Sequence, residues 1–291
     1  MSPLRFLLAS RLTFSLATAQ DSRPHKVLRV TAIPDVNKDT LREDQARISS
    51  WLEAKTGVPV RFEPVTNYSA AVAALVSGQV DMAWLGGVTA VQAIQQSKNT
   101  VRPLVTRAND LKFKSYVIVG AGVKAEKLQD LKGKSFTFGA KASTSGHVMP
   151  RYLMGKEGIR PEQDFSKVAY SGDHSKTVLD VAGGVFDAGV VNYTYFDRMI
   201  AEKKVDPAKV RVLWTTPEYV DYCWVVRNDV DTRCGASTTQ KIADAFTALD
   251  AKVEADQAIL KVQSTDKYVA AKAEWWDGIK KVLESIDLSG K

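Results

Sequence analysis

Residues 135–157 read SFTFGAKASTSGHVMPRYLMGKE, in which a short apolar run is followed by a polar turn and a helical pattern. The pattern predicts a strand at 135–138 and a helix at 146–157. The turn between them carries three hydroxyl side chains, Ser143, Thr144 and Ser145, before Gly146. Unpaired N–H groups and the positive end of the dipole lie at a helix N-terminus, so this turn predicts an anion site. An ordinary helix cap is the alternative, and the turn taken alone favours it.

The same strand–turn–helix order recurs on both sides of this stretch. Apolar, β-branched runs predict strands at residues 27–33, 58–65, 80–84, 115–119, 167–170, 188–191, 210–214 and 222–226. Amphipathic patterns predict helices at residues 39–55, 70–76, 90–96, 175–182, 195–202, 239–255 and 268–285. Short strands that alternate with helices predict an α/β fold, with a parallel sheet covered on both faces.

The rhythm restarts after Lys114, which predicts two α/β lobes. We expect lobe 1 to hold residues 26–110 and 220–291, and lobe 2 to hold residues 111–219. A chain that leaves a lobe and returns to it crosses between the lobes twice. We expect the crossing strands, near residues 107–115 and 215–224, to act as a hinge. Ligands of α/β sheets lie beyond the carboxyl ends of the strands, so the cleft between the lobes is the expected binding place.

Composition and motifs exclude several classes of function. The chain has 291 residues, of which 45% are hydrophobic and 25% charged, as in an ordinary soluble globular protein. Its 40 basic and 33 acidic residues are scattered, with no basic stripe interleaved with aromatic residues, so no nucleic-acid partner is predicted. No nucleophile elbow, HExxH motif or P-loop is present, and no His or Cys spacing suits a metal. We therefore predict neither an enzyme, nor a metal, nor a cofactor.

The N-terminal residues 1–19 resemble a signal peptide. An apolar region ends in Ala17-Thr18-Ala19, a cleavage pattern that would leave Gln20 as the first mature residue. Arg11 interrupts the apolar region, and an uncleaved tail is the alternative. No later window is apolar enough to span a membrane, so we expect a soluble periplasmic protein.

The two cysteines, Cys223 and Cys234, lie far from the N-terminus, so a lipid anchor is not expected. Export would permit a disulfide between them. We expect residues 222–230 to form a strand and 231–235 a turn, and a disulfide then requires the chain to double back. Two inert thiols are the alternative, and the sequence leaves both readings open.

Five further residues lie at or after the ends of predicted strands and are candidates for the same site. Tyr68 begins a helix and offers a phenol hydroxyl, while His174 can donate to an anion and change its charge near neutral pH. Asp221 lies at the predicted hinge and faces the cleft. Trp84 and Leu85 end the third strand, where they are candidates for a cleft wall. Capping is the alternative for the polar residues, and core packing for Trp84.

Taken together, the motifs resemble the phosphate/phosphite/phosphonate family of periplasmic binding proteins over roughly residues 27 to 230. Within that family the chain is most similar to a branch labelled selenate-binding. The motifs that carry the resemblance are Asn67-Tyr68, Asp81-Met82-Ala83-Trp84, Ser143-Thr144-Ser145-Gly146-His147, Ser171-Gly172-Asp173-His174 and Val185-Phe186-Asp187-Ala188-Gly189.

The resemblance implies a type II fold with two lobes, mixed sheets flanked by helices and two crossing hinge strands. It implies a monomer that captures a small tetrahedral oxyanion and delivers it to the permease of an ABC importer. An extracytoplasmic sensor coupled to a signalling partner is the alternative. The implied ligand contacts come from Tyr68, Ser143, Thr144, Ser145, Gly146, His174 and Asp221.

Two departures from the family pattern narrow the ligand. Leu85 stands where phosphonate binders carry a tyrosine, and Thr194 stands where binders of aminoalkyl phosphonates carry a second acid. We therefore expect a compact anion without an ammonium group. An ionised Asp221 in the pocket would repel selenate, which carries no proton, whereas the branch label favours selenate. The central atom of the anion stays open.

Overall fold

The computed structural model describes residues 26–286, which form two α/β lobes. The strands are β1 Leu28–Ala32, β2 Val60–Phe62, β3 Met82–Leu85, β4 Val101–Arg107, β5 Ser115–Gly120, β6 Ser135–Phe138, β7 Lys167–Tyr170, β8 Ala188–Asn192, β9 Val210–Thr215, β10 Cys223–Arg227 and β11 Tyr268–Ala270. The helices are α1 Lys38–Thr56, α2 Tyr68–Ser77, α3 Gly87–Gln96, α4 Met149–Lys156, α5 Pro161–Asp164, α6 His174–Ala182, α7 Tyr193–Ala201, α8 Val230–Cys234, α9 Thr238–Thr247, α10 Glu254–Val262 and α11 Asp277–Ser285. Within residues 26–286, no helix has the length and apolar character needed to span a membrane.

Each lobe is built on one sheet. The first has the order β11-β4-β10-β3-β1-β2, and the second has the order β7-β6-β8-β5-β9. In the first sheet β1 is parallel to β2 and β3, whereas β10 is antiparallel to both β3 and β4. In the second, β6 is parallel to β7 and β8, whereas β5 is antiparallel to β8 and β9. The sheets are therefore mixed, not purely parallel, because each strand next to a crossing runs against its neighbours.

Two crossing segments, residues 108–114 and 216–222, join the lobes. They pair with each other in an antiparallel bridge, in which Phe113 and Tyr219 exchange backbone hydrogen bonds of 2.8 and 3.0 Å. Asp221 N also donates to Asp110 O at 3.0 Å. The expected fold class, two α/β lobes with mixed sheets and two crossing strands, is confirmed. The residue boundaries given for the lobes stay a prediction.

The second sheet shows why its strands have near-continuous apolar sequences. Along β5, Val117 and Val119 pack into one hydrophobic cluster while Ile118 packs into another on the opposite face. Successive side chains of a strand point to opposite faces, so a strand with both faces covered is apolar throughout. The edge strand β9 has one neighbour, β5, and Arg211 and Val212 on it are exposed.

The C-terminal part of the chain differs from the prediction. The helix expected at residues 239–255 is divided into α9 and α10, and between them the carboxylate of Asp250 accepts from the N–H of Lys252 in a turn. Where a helix was expected from residue 268, the chain first forms the strand β11. This strand pairs with β4, which was not predicted from the sequence either. Tyr268 is buried there against Phe246.

The cysteines are two buried free thiols, so the structure contains no disulfide between Cys223 and Cys234. Cys223 is the first residue of β10, and Cys234 ends α8, a helix where a turn was expected. The strand expected to continue to residue 230 ends at Arg227. The chain passes from β10 into helix α8 and not into the expected turn. Residues 223–234 therefore do not double back in the way that a disulfide was expected to need.

Candidate functional site

The hydroxyl turn, residues 143–146, lies where β6 leads into α4. The Ser143 side chain accepts a hydrogen bond from Gly146 N at 3.0 Å, so Ser143 caps the helical segment that follows. The segment begins as a wider π-type turn, Thr144–Val148, before α4 proper. Gly146 is required here, because a Cβ atom would lie 2.9 Å from Ser143 Oγ and 3.1 Å from His174 Cε1. The turn is therefore closely packed against the residue that begins α6.

Two helix N-termini meet at this turn, one from each lobe. Thr144 Oγ1 accepts from Val88 N at 2.9 Å, and Asp221 Oδ1 accepts from Gly87 N at 3.0 Å. Both N–H groups belong to the first turn of α3, whose cap residue Gly86 supplies no side chain. The Asp221 carboxyl thus stands at the positive end of the α3 dipole, beside the hydroxyl turn that precedes α4.

Three buried polar atoms at this place have no hydrogen-bond partner among residues 26–286: Tyr68 OH, Ser145 Oγ and Asp221 Oδ2. Burial raises the pKa values of both Tyr68 and Asp221. The Ser143 hydroxyl lowers that of Tyr68 and the Thr144 hydroxyl lowers that of Asp221, so both groups lie beside the turn. Buried polar groups are nearly always paired, and each unpaired one costs about 1–3 kcal/mol. Three such groups around one turn make it a place where a polar ligand or ordered water would complete the hydrogen bonding.

Asp221 is buried, and burial raises the pKa of its carboxyl from 3.8 to about 8. The nearby charge of Asp110 raises this pKa further, whereas the hydrogen bond from Gly87 N opposes the rise. A pKa of about 8 keeps the buried Asp221 carboxyl mainly protonated at pH 7. A protonated Asp221 does not repel a proton-free anion, since the acid can donate its own proton to that anion.

His174 begins α6 and links the lobes through its backbone, whose N–H donates to Asp35 O at 2.8 Å. Its ring Nδ1 accepts from Asn192 N at 3.4 Å, which leaves the proton on Nε2, 3.4 Å from Tyr222 OH. Burial lowers the pKa of His174 to about 3. The expectation that His174 changes its charge near neutral pH is therefore wrong, because the ring is held uncharged.

Two residues that the sequence analysis did not select, Tyr222 and Asp35, belong to the same network. Tyr222 OH receives a hydrogen bond from Asn192 Nδ2 at 3.2 Å. Burial raises the pKa of Asp35 to about 6, and a hydrogen bond with the Tyr222 hydroxyl opposes this rise. The available signals were that Tyr222 directly follows Asp221 and that Asp35 follows the carboxyl end of β1.

Trp84 and Leu85 were the residues predicted to form a cleft wall, and of these two the structure places Trp84 next to the polar residues. Trp84 stacks on Tyr222, with ring centroids 5.4 Å apart and planes 13° from parallel. Leu85 is fully buried in the core of the first lobe, where it pairs with Cys223. Trp84 thus contacts the network through Tyr222.

A buried ion pair at the crossing segments supports these rings. Arg107 Nε and Nη2 donate to the two carboxylate oxygens of Asp110 at 2.6 and 2.7 Å. The Arg107 guanidinium carbon lies 5.1 Å from the ring centroids of both Trp84 and Tyr222. A planar cation held at this distance from two rings attracts both of them, so the hinge and the site share one packed unit.

The lobes are in direct contact beyond the hydroxyl turn. Asn37 N donates to Ser175 Oγ at 3.0 Å, and Arg198 Nη1 of α7 donates to Asp44 Oδ2 of α1 at 2.8 Å. Beside these contacts, a cavity of about 630 Å³ opens between the lobes. Its lining residues include Pro34, Lys38, Asn67, Tyr68, Lys141 and Asp173. Tyr68 therefore lines this cavity and also carries one of the three buried polar atoms.

Two α/β lobes joined by paired crossing segments, with polar groups buried between them, define a two-lobed periplasmic binding protein. The chain belongs to the family described as "ABC transporter, phosphonate, periplasmic substrate-binding protein", whose model matches residues 30–276. The resemblance stated from the sequence is thereby confirmed. Members of this family are substrate-binding components of transporters and not enzymes.

Relatives of known description agree with this assignment. A probable phosphite-binding protein of an ABC transporter, PhnD1 of Prochlorococcus marinus, is 32% identical over 289 residues, which is 97% of each chain. The solved structure of PhnD1 from Prochlorococcus marinus, in complex with methylphosphonate, has a TM-score of 0.84 at 31% identity and covers 89% of this chain and 98% of that one. The phosphate-import protein PhnD of Mycolicibacterium smegmatis is 27% identical over 65% of this chain and 62% of its own. These relatives lend no support to selenate, nor to a sensor.

Proposed function

We propose that this protein captures a small phosphorus oxyanion, such as phosphite, phosphate or methylphosphonate, between its lobes and delivers it to an ABC permease. The observation that carries the proposal is the set of three buried, unpartnered polar atoms, Tyr68 OH, Ser145 Oγ and Asp221 Oδ2. The site is flanked by the N-termini of two helices, whose dipoles favour a negative charge. The descriptions of the relatives supply the choice of phosphorus as the central atom.

In this proposal the donors and the acid divide the oxygens of the anion between them. The hydroxyls of Tyr68, Ser143 and Ser145 donate to ionised oxygens, and Asp221 shares one proton with the remaining oxygen. His174 donates through Nε2, the ring nitrogen that carries the proton because Nδ1 accepts from Asn192 N. No covalent bond forms between the protein and the anion. Since hydrogen bonds alone hold the anion, the opening of the lobes releases it.

A ligand without an ammonium group fits the remaining surroundings. Thr194, at the position where a second acid was considered, donates its hydroxyl to Asn192 Oδ1 at 2.8 Å. An ammonium group requires an acceptor with negative charge when it is buried, and Thr194 supplies none. We therefore propose that alkylphosphonates bind and that 2-aminoethylphosphonate is discriminated against.

Calorimetric titration of the anion-free protein tests the proposal. Phosphite, phosphate and methylphosphonate are the expected ligands, whereas 2-aminoethylphosphonate, sulfate and selenate are the comparison set. Ser145→Ala is expected to weaken binding about 10- to 100-fold, the effect of a lost hydrogen bond to a charged group. The matched control is Ser77→Ala, whose hydroxyl donates to Ala74 O in α2, away from the site. The proposal fails if no phosphorus oxyanion binds, or if Ser77→Ala and Ser145→Ala weaken binding equally.

We further propose that residues 1–19, which lie outside the described residues, direct export and are removed after Ala19. The mature protein is then free in the periplasm as a monomer without a lipid anchor. Mass spectrometry of the exported protein measures the first residue, and light scattering of the eluted protein measures its mass. A lipid-modified or uncleaved N-terminus, or a dimer, would overturn the corresponding part.

A further inference from the structure

His147, which directly follows the hydroxyl turn, makes two short hydrogen bonds with its ring. Nδ1 lies 2.7 Å from Lys141 O, and Nε2 lies 2.8 Å from Arg151 Nε. A carbonyl oxygen only accepts and a guanidinium only donates, so the proton must be on Nδ1 and Nε2 must be an acceptor. The ring is 2% exposed, and burial lowers its pKa to about 4. His147 is therefore an uncharged link of defined tautomer between a loop and a helix.

The arginine at the far end of this link is itself held from several sides. Arg151 Nη1 and Nη2 donate to the two oxygens of Glu162 at 2.7 and 2.6 Å, a bidentate pair. Nη2 also donates to Tyr170 OH at 3.2 Å, and the guanidinium carbon lies 4.9 Å from the Phe138 ring centroid. The Arg151 side chain thus has little freedom, and neither does the imidazole that accepts from it.

The carbonyl that His147 holds lies two residues before Ser143. The loop between β6 and the turn is otherwise held by backbone bonds at its two ends. Gly139 N donates to Gly146 O at 2.7 Å, and Ser143 N donates to Ala140 O at 2.9 Å. Lys141 is exposed, and its carbonyl receives its bond from the His147 ring. The imidazole therefore supports, from a side chain, the backbone of the loop that leads into the hydroxyl turn.

We propose that His147, braced by Arg151 and Glu162, is a positioning residue that holds the hydroxyl turn in its binding geometry before the anion arrives. This inference rests on the proposed function of the turn. His147 touches no ligand; it acts through the Lys141 carbonyl on the orientation of Ser143 and Ser145. A binding loop that is ordered before the ligand arrives loses less conformational freedom on binding. The affinity of the protein for the anion is therefore higher.

Two substitutions at the same position separate the two ring nitrogens. The amide nitrogen of His147→Asn lies near the place of Nδ1 and retains a donor to Lys141 O. The longer amide of His147→Gln lies near the place of Nε2 and retains contact with Arg151 while losing the bond to the loop. Both variants lose the contact of the ring with Phe138, whose ring centroid lies 4.9 Å from that of His147, so this aromatic contact does not distinguish them.

Calorimetric affinity for phosphite, and hydrogen exchange of the amides at residues 139–146 without ligand, are the measurements. His147→Gln, which loses the bond to the loop, is expected to weaken binding roughly 10-fold and to speed exchange in this loop. His147→Asn, which keeps that bond and loses only the brace from Arg151, is expected to weaken binding by about 3-fold. Equal affinities and equal exchange for the two variants would overturn the inference.

If His147→Gln does not fold, Glu162→Gln provides the second test at the outer end of the same link. Loss of one ionic oxygen loosens Arg151, so the same loop is expected to exchange faster and phosphite to bind more weakly. Unchanged exchange and affinity in Glu162→Gln would overturn the inference. Absence of phosphite, phosphate and methylphosphonate binding by the parent protein would instead overturn the proposed function, whereas binding by the parent with no difference among variants would refute the positioning role alone.

Discussion

Replacement of Asp221 by asparagine is expected to stabilise the ligand-free protein at neutral pH. Asn has the shape of the protonated acid, and its carbonyl oxygen can accept from Gly87 N as Asp221 Oδ1 does at 3.0 Å. It differs from Asp221 in having no charge to desolvate at any pH. The change in the free energy of unfolding on Asp221→Asn therefore measures the stability that the folded protein loses by keeping Asp221 protonated.

The size of the effect follows from the pKa of Asp221, raised from 3.8 to about 8. An acid with a raised folded pKa binds its proton more tightly in the folded state, so its contribution is most favourable below pH 3.8 and is lost as pH rises to 8. At pH 7 the unfolded acid is ionised and the folded acid is not, a difference of about 3 pH units or about 4 kcal/mol. The two proteins should therefore be similar near pH 4 and differ most at pH 8 and above.

Thermal unfolding at pH 4, 7 and 8.5, followed by circular dichroism without added anion, is the assay. At pH 7 the Asp221→Asn protein is expected to melt on the order of 10 °C higher than the parent, and at pH 4 the two should melt together. Asp187→Asn provides a control, since Asp187 accepts from Ser135 and its pKa is lowered. A pH-independent difference, or a lower melting temperature for Asp221→Asn at pH 7, would refute the assignment of a protonated Asp221.

Three further outcomes are expected. Arg198→Ala breaks the contact to Asp44 across the cleft, so the affinity for every anion, measured by calorimetry, should fall by the same factor of about 3–10. A change in the order of preference among the anions would contradict this. Gly146→Ala should cost about 1–3 kcal/mol in urea unfolding and prevent binding, whereas Gly155→Ala in α4, with open space around it, should not destabilise. His147, with its pKa lowered from 6.5 to about 4, should make stability fall by about 3 kcal/mol as pH drops from 6.5 to 4, and His147→Gln should remove this part of the slope.

The sequence predicted those parts of the fold that depend on local pattern. The strand at residues 135–138 coincides with β6, because a buried strand with two covered faces is recognisable from four residues. The strand β11 was read as helix, since its backbone pairs with β4, more than 160 positions earlier in the chain, and no local pattern records that partner. Pairing between distant segments is therefore where the prediction of the fold was weakest.

The candidate site divides in the same way. The sequence located Ser145 and Asp221, and the structure leaves a buried polar atom of each without a partner. It did not select Tyr222, whose contacts with His174 and Trp84 arise only when distant segments meet. It also assigned His174 a charge change near neutral pH, because the imidazole was considered without its burial. The protonation state of a residue depends on desolvation, and desolvation is a property of the assembled fold.

The central position of β10 in the first sheet determines the order in which the chain can be completed. β10 lies between β3 and β4, so until residues 223–227 arrive these two strands have no partner between them. All five strands of the second sheet, in contrast, lie within residues 115–215 of one continuous segment. The second lobe can therefore assemble while the chain is still emerging, whereas the first lobe stays incomplete until most of the protein has been delivered.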